Sequence, residues 1–352
     1  MRWLISIVLL LQGCADFGYY WHSARGHLAV MSQRIDIEDL FEDERLDTKL
    51  RERLVLVGEI RQFAVDRLSL PDNDSYHSYV QLDRPYVLQN LFAAPEFSTR
   101  LRQWCYPLIG CASYRGYYDE ARLERYLEKL KAENLDIHIG RVAAYSTLGW
   151  FDDPVLSSFV YWPEHRLAGL LFHELTHEQL YIDDDTTFNE SLATAVQQAG
   201  IELWLRSRER FAQLDRYRRW LEYRSRVMTL IAESRTELET IYAQEIDAED
   251  KRLRKALILD RARSRHTEIA RAHGIESGFT DWFASGLNNA KIGSVGAYND
   301  QLPAFRSILR AHDNDFERFF DYVERLARLD KPARDLCLEA WLAKTPETEC
   351  RL

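Results

Sequence analysis

The chain has 352 residues, a formal charge of −10, 46% hydrophobic and 12% aromatic residues, and five cysteines. It is too apolar for a disordered chain and too acidic to neutralise the phosphates of a nucleic acid. A mean hydropathy of −0.39 excludes a multi-span membrane protein, and at roughly 150 residues per domain the length allows one large domain or two.

In residues 1–14 a single cation, Arg2, precedes an apolar run from Trp3 to Leu11. The run is too short for a ~30 Å hydrocarbon core, which takes about 20 helical residues, and matches the hydrophobic stretch of a secretory signal. It ends in Leu11-Gln12-Gly13-Cys14, which resembles the bacterial lipobox, although Gln12 departs from the small residue usual there. Residues 1–13 are expected to be a lipoprotein signal peptide and Cys14 the lipidated residue; an uncleaved anchor or an ordinary signal peptide is the alternative. Ala15 rather than Asp after the cysteine favours the outer membrane, with the chain facing the periplasm. In that oxidising compartment the remaining cysteines are expected to pair locally, Cys105 with Cys111 and Cys337 with Cys350. Neither pair has the C-x-x-C spacing of a metal site.

Residues 34–70 carry helical periodicity, broken by Pro71-Asp72-Asn73-Asp74-Ser75. Residues 76–118 are Tyr- and Pro-rich, and irregular with short strands. An amphipathic helix is predicted over 119–133, with Leu123, Tyr126, Leu127 and Leu130 on one face, then a strand over 137–145 and a turn at 149–154. Helix is predicted from Pro163 to about Tyr181 and from Phe188 to about Ala272. Within 202–272 a stripe including Phe211, Leu214, Tyr217, Leu221 and Met228 reads as one long helix or a helical hairpin with a solvated face. Basic runs such as Arg261-Ala262-Arg263 are balanced by nearby Glu, as on a salt-bridged surface. Residues 282–303 turn irregular, and helices close the chain from 303 to 344. The fold class expected is mainly α with a small β-sheet: a catalytic region over 14–200 and a helical region over 201–352 packing on it, as one continuous domain 14–352.

The segment that carries chemistry is His173-Glu174-Leu175-Thr176-His177. Histidines at i and i+4 share one helix face and can hold one Zn²⁺ at ~2.0–2.1 Å each. Glu174 lies one residue further round the helix, where it can take a proton from a water on the metal's open side and pass it to a leaving amine. Leu170, Leu171, Phe172, Leu175 and Leu180 make the surroundings apolar, so polar groups there would be costly without a ligand. A catalytic zinc takes three protein ligands, and the best third is Glu190, at the start of the next helical run. Thr187-x-x-Glu190 also fits a capping box, a rival use of the same carboxylate. Asp183, Asp184 and Asp185 are the fallback ligands.

With Asn189-Glu190-Ser191-Leu192-Ala193 following it, the motif resembles that of the gluzincin metallopeptidases, where His, His and Glu bind zinc. A closer resemblance is to the predicted-aminopeptidase family of Gram-negative bacterial lipoproteins. It runs through Gly13-Cys14, Tyr19-Tyr20 to Gly26-His27-Leu28, Tyr114-Arg115-Gly116-Tyr117-Tyr118 and Tyr145-Ser146-Thr147-Leu148-Gly149-Trp150-Phe151, and on to Asn288-Asn289-Ala290, Tyr298 and Pro303-Ala304-Phe305. The resemblance implies a zincin-like fold and zinc-dependent peptidase activity, most simply removal of N-terminal residues. The His-to-Glu gap is shorter than in familiar gluzincins, so their other pocket residues are not carried over. The resemblance also suggests Tyr298 as a hydrogen-bond donor to the oxyanion and the 137–145 strand as an edge pairing with extended substrate, while Thr194, one turn past Glu190, is a candidate support for the metal ligands. His138 and His165 read as structural.

The expected function is thus a lipid-anchored zinc aminopeptidase with one Zn²⁺, a peptide substrate, a membrane contact through its anchor and no nucleic-acid partner. A zinc endopeptidase of envelope proteins is the enzymatic alternative. A non-catalytic, chaperone-like lipoprotein with structural zinc is the other. The ammonium-binding carboxylate and the oligomeric state are not legible in the sequence.

Overall fold

Glycine and proline are sparse, 15 and 9 in the chain, so long stretches run without a helix breaker. The computed structural model describes residues 19, 21–106, 110–144, 152–276, 278–295, 301–343 and 350. Its first elements are α1 (residues 21–31), β1 (Ile35–Asp36), α2 (Ile37–Glu42), α3 (Thr48–Leu68), β2 (Ser78–Val80) and β3 (Leu88–Pro95). Then come β4 (Trp104–Tyr106), β5 (Gly110–Ala112), β6 (Arg115–Tyr117), α4 (Glu120–Leu130), β7 (Leu135–Val142), β8 (Val155–Leu156) and α5 (Glu164–Gln179). The rest is helical: α6 (Thr186–Ser207), α7 (Phe211–Tyr242), α8 (Ala248–His273), α9 (Gly278–Ala284), α10 (Asn289–Ser294), α11 (Leu302–Ala311), α12 (Phe316–Ala327) and α13 (Lys331–Ala343). The protein is mainly helical with small sheets, as the composition and periodicity suggested.

Aspartates punctuate the helices. Asp47, Asp119, Asp185, Asp247 and Asp315 each accept a hydrogen bond from the backbone N–H three residues on, satisfying a donor that the first turn leaves free. Where α8 ends, Gly274 adopts φ 60°, the left-handed conformation that glycine takes at little cost. Among the described residues no helix is long and apolar enough to cross a membrane.

The chain forms two compact units. One comprises residues up to Gln33, Arg84–Ala143 and Asp215–Gly296. Its sheet has the order β6-β3-β7, antiparallel throughout, with Leu91 opposite both Arg115 and Ile139. The predicted 137–145 strand is β7, an edge of this sheet. The helical-hairpin option of 202–272 is what forms. Tyr223, Val227, Leu230 and Leu238 of α7 pack with Ile258, Leu259 and Ala262 of α8, and Arg265 pairs with Glu233 at 2.8 Å along the solvated side. Within the predicted irregular segment 282–303, α10 forms because Asn288 caps it and Asn289 is tied down. The Asn289 amide donates to the carbonyls of Pro95 (3.0 Å) and Glu96 (2.8 Å), and its Oδ1 accepts from Tyr242 (2.8 Å). Cys105 and Cys111 face each other across β4 and β5 and are joined by the expected disulfide.

The other unit comprises Arg34–Asp83, Ala144–Leu214 and Ala297–Leu352. Here β2 sits between β1 and β8. Helices α5 and α6 pack along one another, burying Leu167, Leu171, Phe172 and Leu175 from α5 and Leu192, Val196 and Ile201 from α6. Two glycines let the helices approach. A Cβ on Gly169 would lie 2.5 Å from Ile201 Cδ1, and one on Gly200 would lie 2.7 Å from Phe172 Cδ2 and 2.8 Å from Leu68 Cδ1. Phe305 of α11 stacks edge-on against Phe188 with ring centroids 5.0 Å apart. The N-terminus of α6 is further fixed by a buried ion pair. Asp185 accepts from Arg334 Nη2 at 2.6 Å, with Lys331 Nζ at 3.3 Å. Cys337 of α13 and Cys350 form the second expected disulfide.

Two predictions follow from this packing. Gly200→Ala should lower the unfolding free energy by up to about 2 kcal/mol, because overpacking costs ~1–3 kcal/mol against a helix-propensity gain of ~1 kcal/mol. Gly58→Ala in α3, where a methyl meets nothing within 4 Å, should raise it instead; urea midpoints of the two variants make the comparison. The second concerns Asp185. Burial alone would raise its carboxyl, but the Arg334 hydrogen bond, the Phe188 N–H and Lys331 outweigh it and hold the group below the usual range. Its contribution is complete above the ordinary aspartate value of about 3.9 and is lost as pH falls through the lower folded value. Asp185→Asn, which leaves Arg334 buried and unpaired, should cost about 3 kcal/mol at neutral pH and reduce the acid-side loss of stability in denaturant titrations.

Candidate metal centre

Helix α5 starts after Pro163, whose fixed φ suits a helix entrance, and is anchored there by Trp204 Nε1 donating to Glu164 at 3.0 Å. It ends where Leu180 turns extended. The link to α6 is short and held by one side chain: Asn189 accepts from Ile182 N–H at 2.9 Å and donates to Ile182 C=O at 2.8 Å. That clamp, with Asp184 at φ 60°, reverses the chain so that α6 returns beside α5.

The reversal brings Glu190 opposite the two histidines. His173 Nε2 and His177 Nε2 are 3.2 Å apart; Glu190 Oε2 lies 3.4 Å from the first and Oε1 3.5 Å from the second. Among the described residues these three form the one group of His, Cys, Asp or Glu whose ligand atoms converge in this way. For three donors at ~2.0–2.1 Å from a tetrahedral ion, neighbouring donor atoms stand roughly 3.3–3.4 Å apart. The N,N,O donor set and its spacing therefore fit zinc.

The capping-box use of Glu190 is corrected. The helix cap is Asp185, whose carboxylate accepts from Phe188 N–H at 3.3 Å, and Thr187 lies inside the helix. Glu190 is thus past the first turn, with its carboxylate free to face the imidazoles. The fallback aspartates divide: Asp183 and Asp184 are exposed, while Asp185 is committed to Arg334.

The electrostatics of the cluster are those of crowded charge in a half-buried place. Burial pushes the Glu174 carboxyl up to about 7; His173 opposes the rise, and Glu190, Asp153 and Glu178 add to it. Burial and the neighbouring His173 push His177 down to about 4, against the pull of Glu190. Burial would also lower His173, but its hydrogen bond to Glu190 and the field of Glu174 outweigh it and raise the imidazole. Glu190 is held low by His173 and His177 despite its own burial. Without an ion, His173 and Glu190 each favour the other's charged form, and burial keeps Glu174 close to its protonation midpoint near neutral pH.

Several residues around the cluster were not singled out by their sequence. Glu178, one turn after Glu174, accepts from Asn73 Nδ2 and from Ser75 Oγ, the latter at 2.9 Å. Ser75 Oγ in turn accepts from Asp153 N–H at 3.1 Å, and Tyr76 N–H donates to Asp153 C=O at 2.6 Å. The Pro71–Ser75 helix breaker is therefore also the strap that orients α5. Tyr181 sits with its ring 6.0 Å from that of His177. A tyrosine four residues after a histidine, just past the end of α5, is the signal that could have marked it. Thr194 is buried one turn beyond Glu190. His138 stacks on Phe92 in the sheet, and burial, with Lys291, lowers it to about 4, a structural role. His165 is not part of the converging donors. Tyr298, Cys14 and the 145–151 segment lie outside the described residues.

No curated protein and no solved structure matches the chain. A family model described as "Putative aminopeptidase" matches residues 18–338, a span that includes His173, Glu174, His177 and Glu190. That span is most of the chain, and the protein belongs to the family that this model describes.

Proposed function

We propose that the protein is a zinc-dependent aminopeptidase of the bacterial envelope, built on a zincin-like arrangement of α5 and α6. The observation that carries this reading is the convergence of His173 Nε2, His177 Nε2 and a Glu190 carboxylate oxygen at 3.2–3.5 Å from one another, beside Glu174. Membership of an aminopeptidase family supports the peptide substrate.

His173, His177 and Glu190 would hold the ion, giving two neutral donors and one negative one. Bound zinc supplies a Lewis acid that polarises the scissile carbonyl and acidifies water. The Glu174 carboxylate would take a proton from the attacking water and return it to the departing amine nitrogen. Its neighbour Glu178 keeps that part of α5 in place through Asn73 and Ser75. We assign the signal peptide to residues 1–13 and lipidation to Cys14, with the mature chain held at the outer membrane and facing the periplasm. The two disulfides support an oxidising compartment, and they leave Cys14 as the one cysteine outside a pair.

Purified protein is expected to contain about one zinc per chain, the stoichiometry of a three-ligand catalytic site; a gentle preparation with well under half an equivalent sinks the reading. Glu174→Gln should keep the zinc and lose roughly 10²–10⁴-fold in kcat/KM on a peptide with a free N-terminus. Unchanged hydrolysis in that variant rules out the catalytic assignment. Glu190→Ala should lose both metal and activity. N-terminally blocked peptides should resist cleavage, and their efficient cleavage would make the protein an endopeptidase instead.

A further inference from the structure

Removal of N-terminal residues requires a place for a free ammonium group, and a cation taken out of water needs a counter-charge. The carboxylates around the candidate centre differ in how free they are to supply it. Glu190 faces the two histidines, and Glu174 is the proposed proton acceptor. Asp185 is committed to Arg334, and Asp153 is only 2% exposed. Asp183 and Asp184 are exposed, where an ion pair is worth little.

Glu178 remains. It follows Glu174 by four residues on α5, so the two side chains leave the same face with Cβ atoms about 6 Å apart. It is partly exposed. Its Oε1 accepts from Ser75 Oγ at 2.9 Å and its Oε2 from Asn73 Nδ2. Ser75 is itself fixed: its Oγ accepts from Asp153 N–H at 3.1 Å, and its N–H donates to Asn73 Oδ1 at 3.2 Å. The carboxylate is therefore pinned at both oxygens, and each oxygen keeps a second lone pair.

What Glu178 lacks is a cation. Both of its donors are neutral. Among the described residues no lysine or arginine pairs with it; Arg61 donates to Asn73 C=O and lies 3.8 Å from Asp72 instead. An amide at 178 could fasten α5 to the 73–75 strap as well. A carboxylate there adds a half-buried negative charge that no described side chain neutralises, which is costly unless a ligand does so. The ammonium nitrogen of a peptide is two bonds, about 2.5 Å, from the carbonyl carbon that water beside Glu174 would attack. One helical turn from Glu174 is thus within reach of that nitrogen.

We infer that Glu178, held by Asn73 and Ser75, binds the α-ammonium group of the peptide substrate, an assignment that rests on the zinc peptidase reading. A blocked N-terminus leaves the carboxylate desolvated and unpaired, so the same residue that receives free N-termini excludes acylated ones.

The test measures binding by calorimetry on the zinc-loaded full chain. Two metal-directed probes are compared, leucine hydroxamic acid and 4-methylpentanohydroxamic acid, which differ only in the amine. The wild-type protein should bind the amine-bearing probe roughly 10–100-fold more tightly, the span of a hydrogen bond to a charged group. Glu178→Gln should bring the two affinities together with zinc content and circular dichroism unchanged. It should also raise KM, more than it lowers kcat, on peptides with a free N-terminus. Equal affinities in the wild type overturn the inference, as does a preference that survives in Glu178→Gln. Loss of zinc in that variant makes the residue structural and overturns it too. Ser75→Ala serves if Glu178→Gln does not fold: it keeps the charge but frees one oxygen and should cut the preference several-fold, an unchanged preference again being fatal. Wild-type protein that holds no zinc removes the peptidase reading and this one together, whereas an active zinc enzyme indifferent to the amine removes this one alone.

Discussion

Two imidazoles on one helix and a carboxylate on the next can share an ion only if the helices come closer than ordinary side chains allow. The close approach of α5 and α6 is the condition on which the candidate centre depends. Gly169 and Gly200 permit it, each accepting a neighbour's side chain where its own Cβ would have been. The Asn189 clamp and the Asp185–Arg334 pair then fix where along α5 the second helix returns, and so which carboxylate meets the histidines. The packing and the chemistry have the same cause. Helix propensity is sacrificed at two positions so that the donor atoms converge.

That convergence concentrates acid. Glu190, Asp153 and Glu178 all act on Glu174 in a region where water is scarce, and the three glutamates are handled differently. Glu190 is matched with the histidines. Glu178 is raised by burial, while hydrogen bonds from Asn73 and Ser75 work against the rise. Glu174 has only the opposing pull of His173, and it is the carboxyl left near 7. Selective neglect of one carboxyl among several satisfied ones is how a single fold produces a proton acceptor without a special residue type.

The parts legible in the sequence are those encoded by local spacing. The i, i+4 histidines, the apolar stripe of α7 and α8 and the close cysteine pairs all act within a few turns of chain. Glu190 was legible as a candidate, because thirteen residues leave room for one reversal; what frees its carboxylate from capping the helix is Asp185, which the Thr187 pattern concealed. The rest depends on partners remote in sequence. Arg334 reaches Asp185 across 149 residues, and Glu178 meets Ser75 across 103. The six-residue α10 is too short to show periodicity, and it is held by Asn289 bonding to carbonyls nearly two hundred residues away.

The two units interleave along the chain, each assembled from three separate stretches. Neither can be completed by a growing N-terminal portion: one waits for residues near 296, the other for α13 and the cysteine that bridges it at position 350. Pairings of such long sequence separation are slow to form, since a large loop must close before any contact repays it. A growing chain of this design has no early folded half, and each unit closes only after its third stretch has been made.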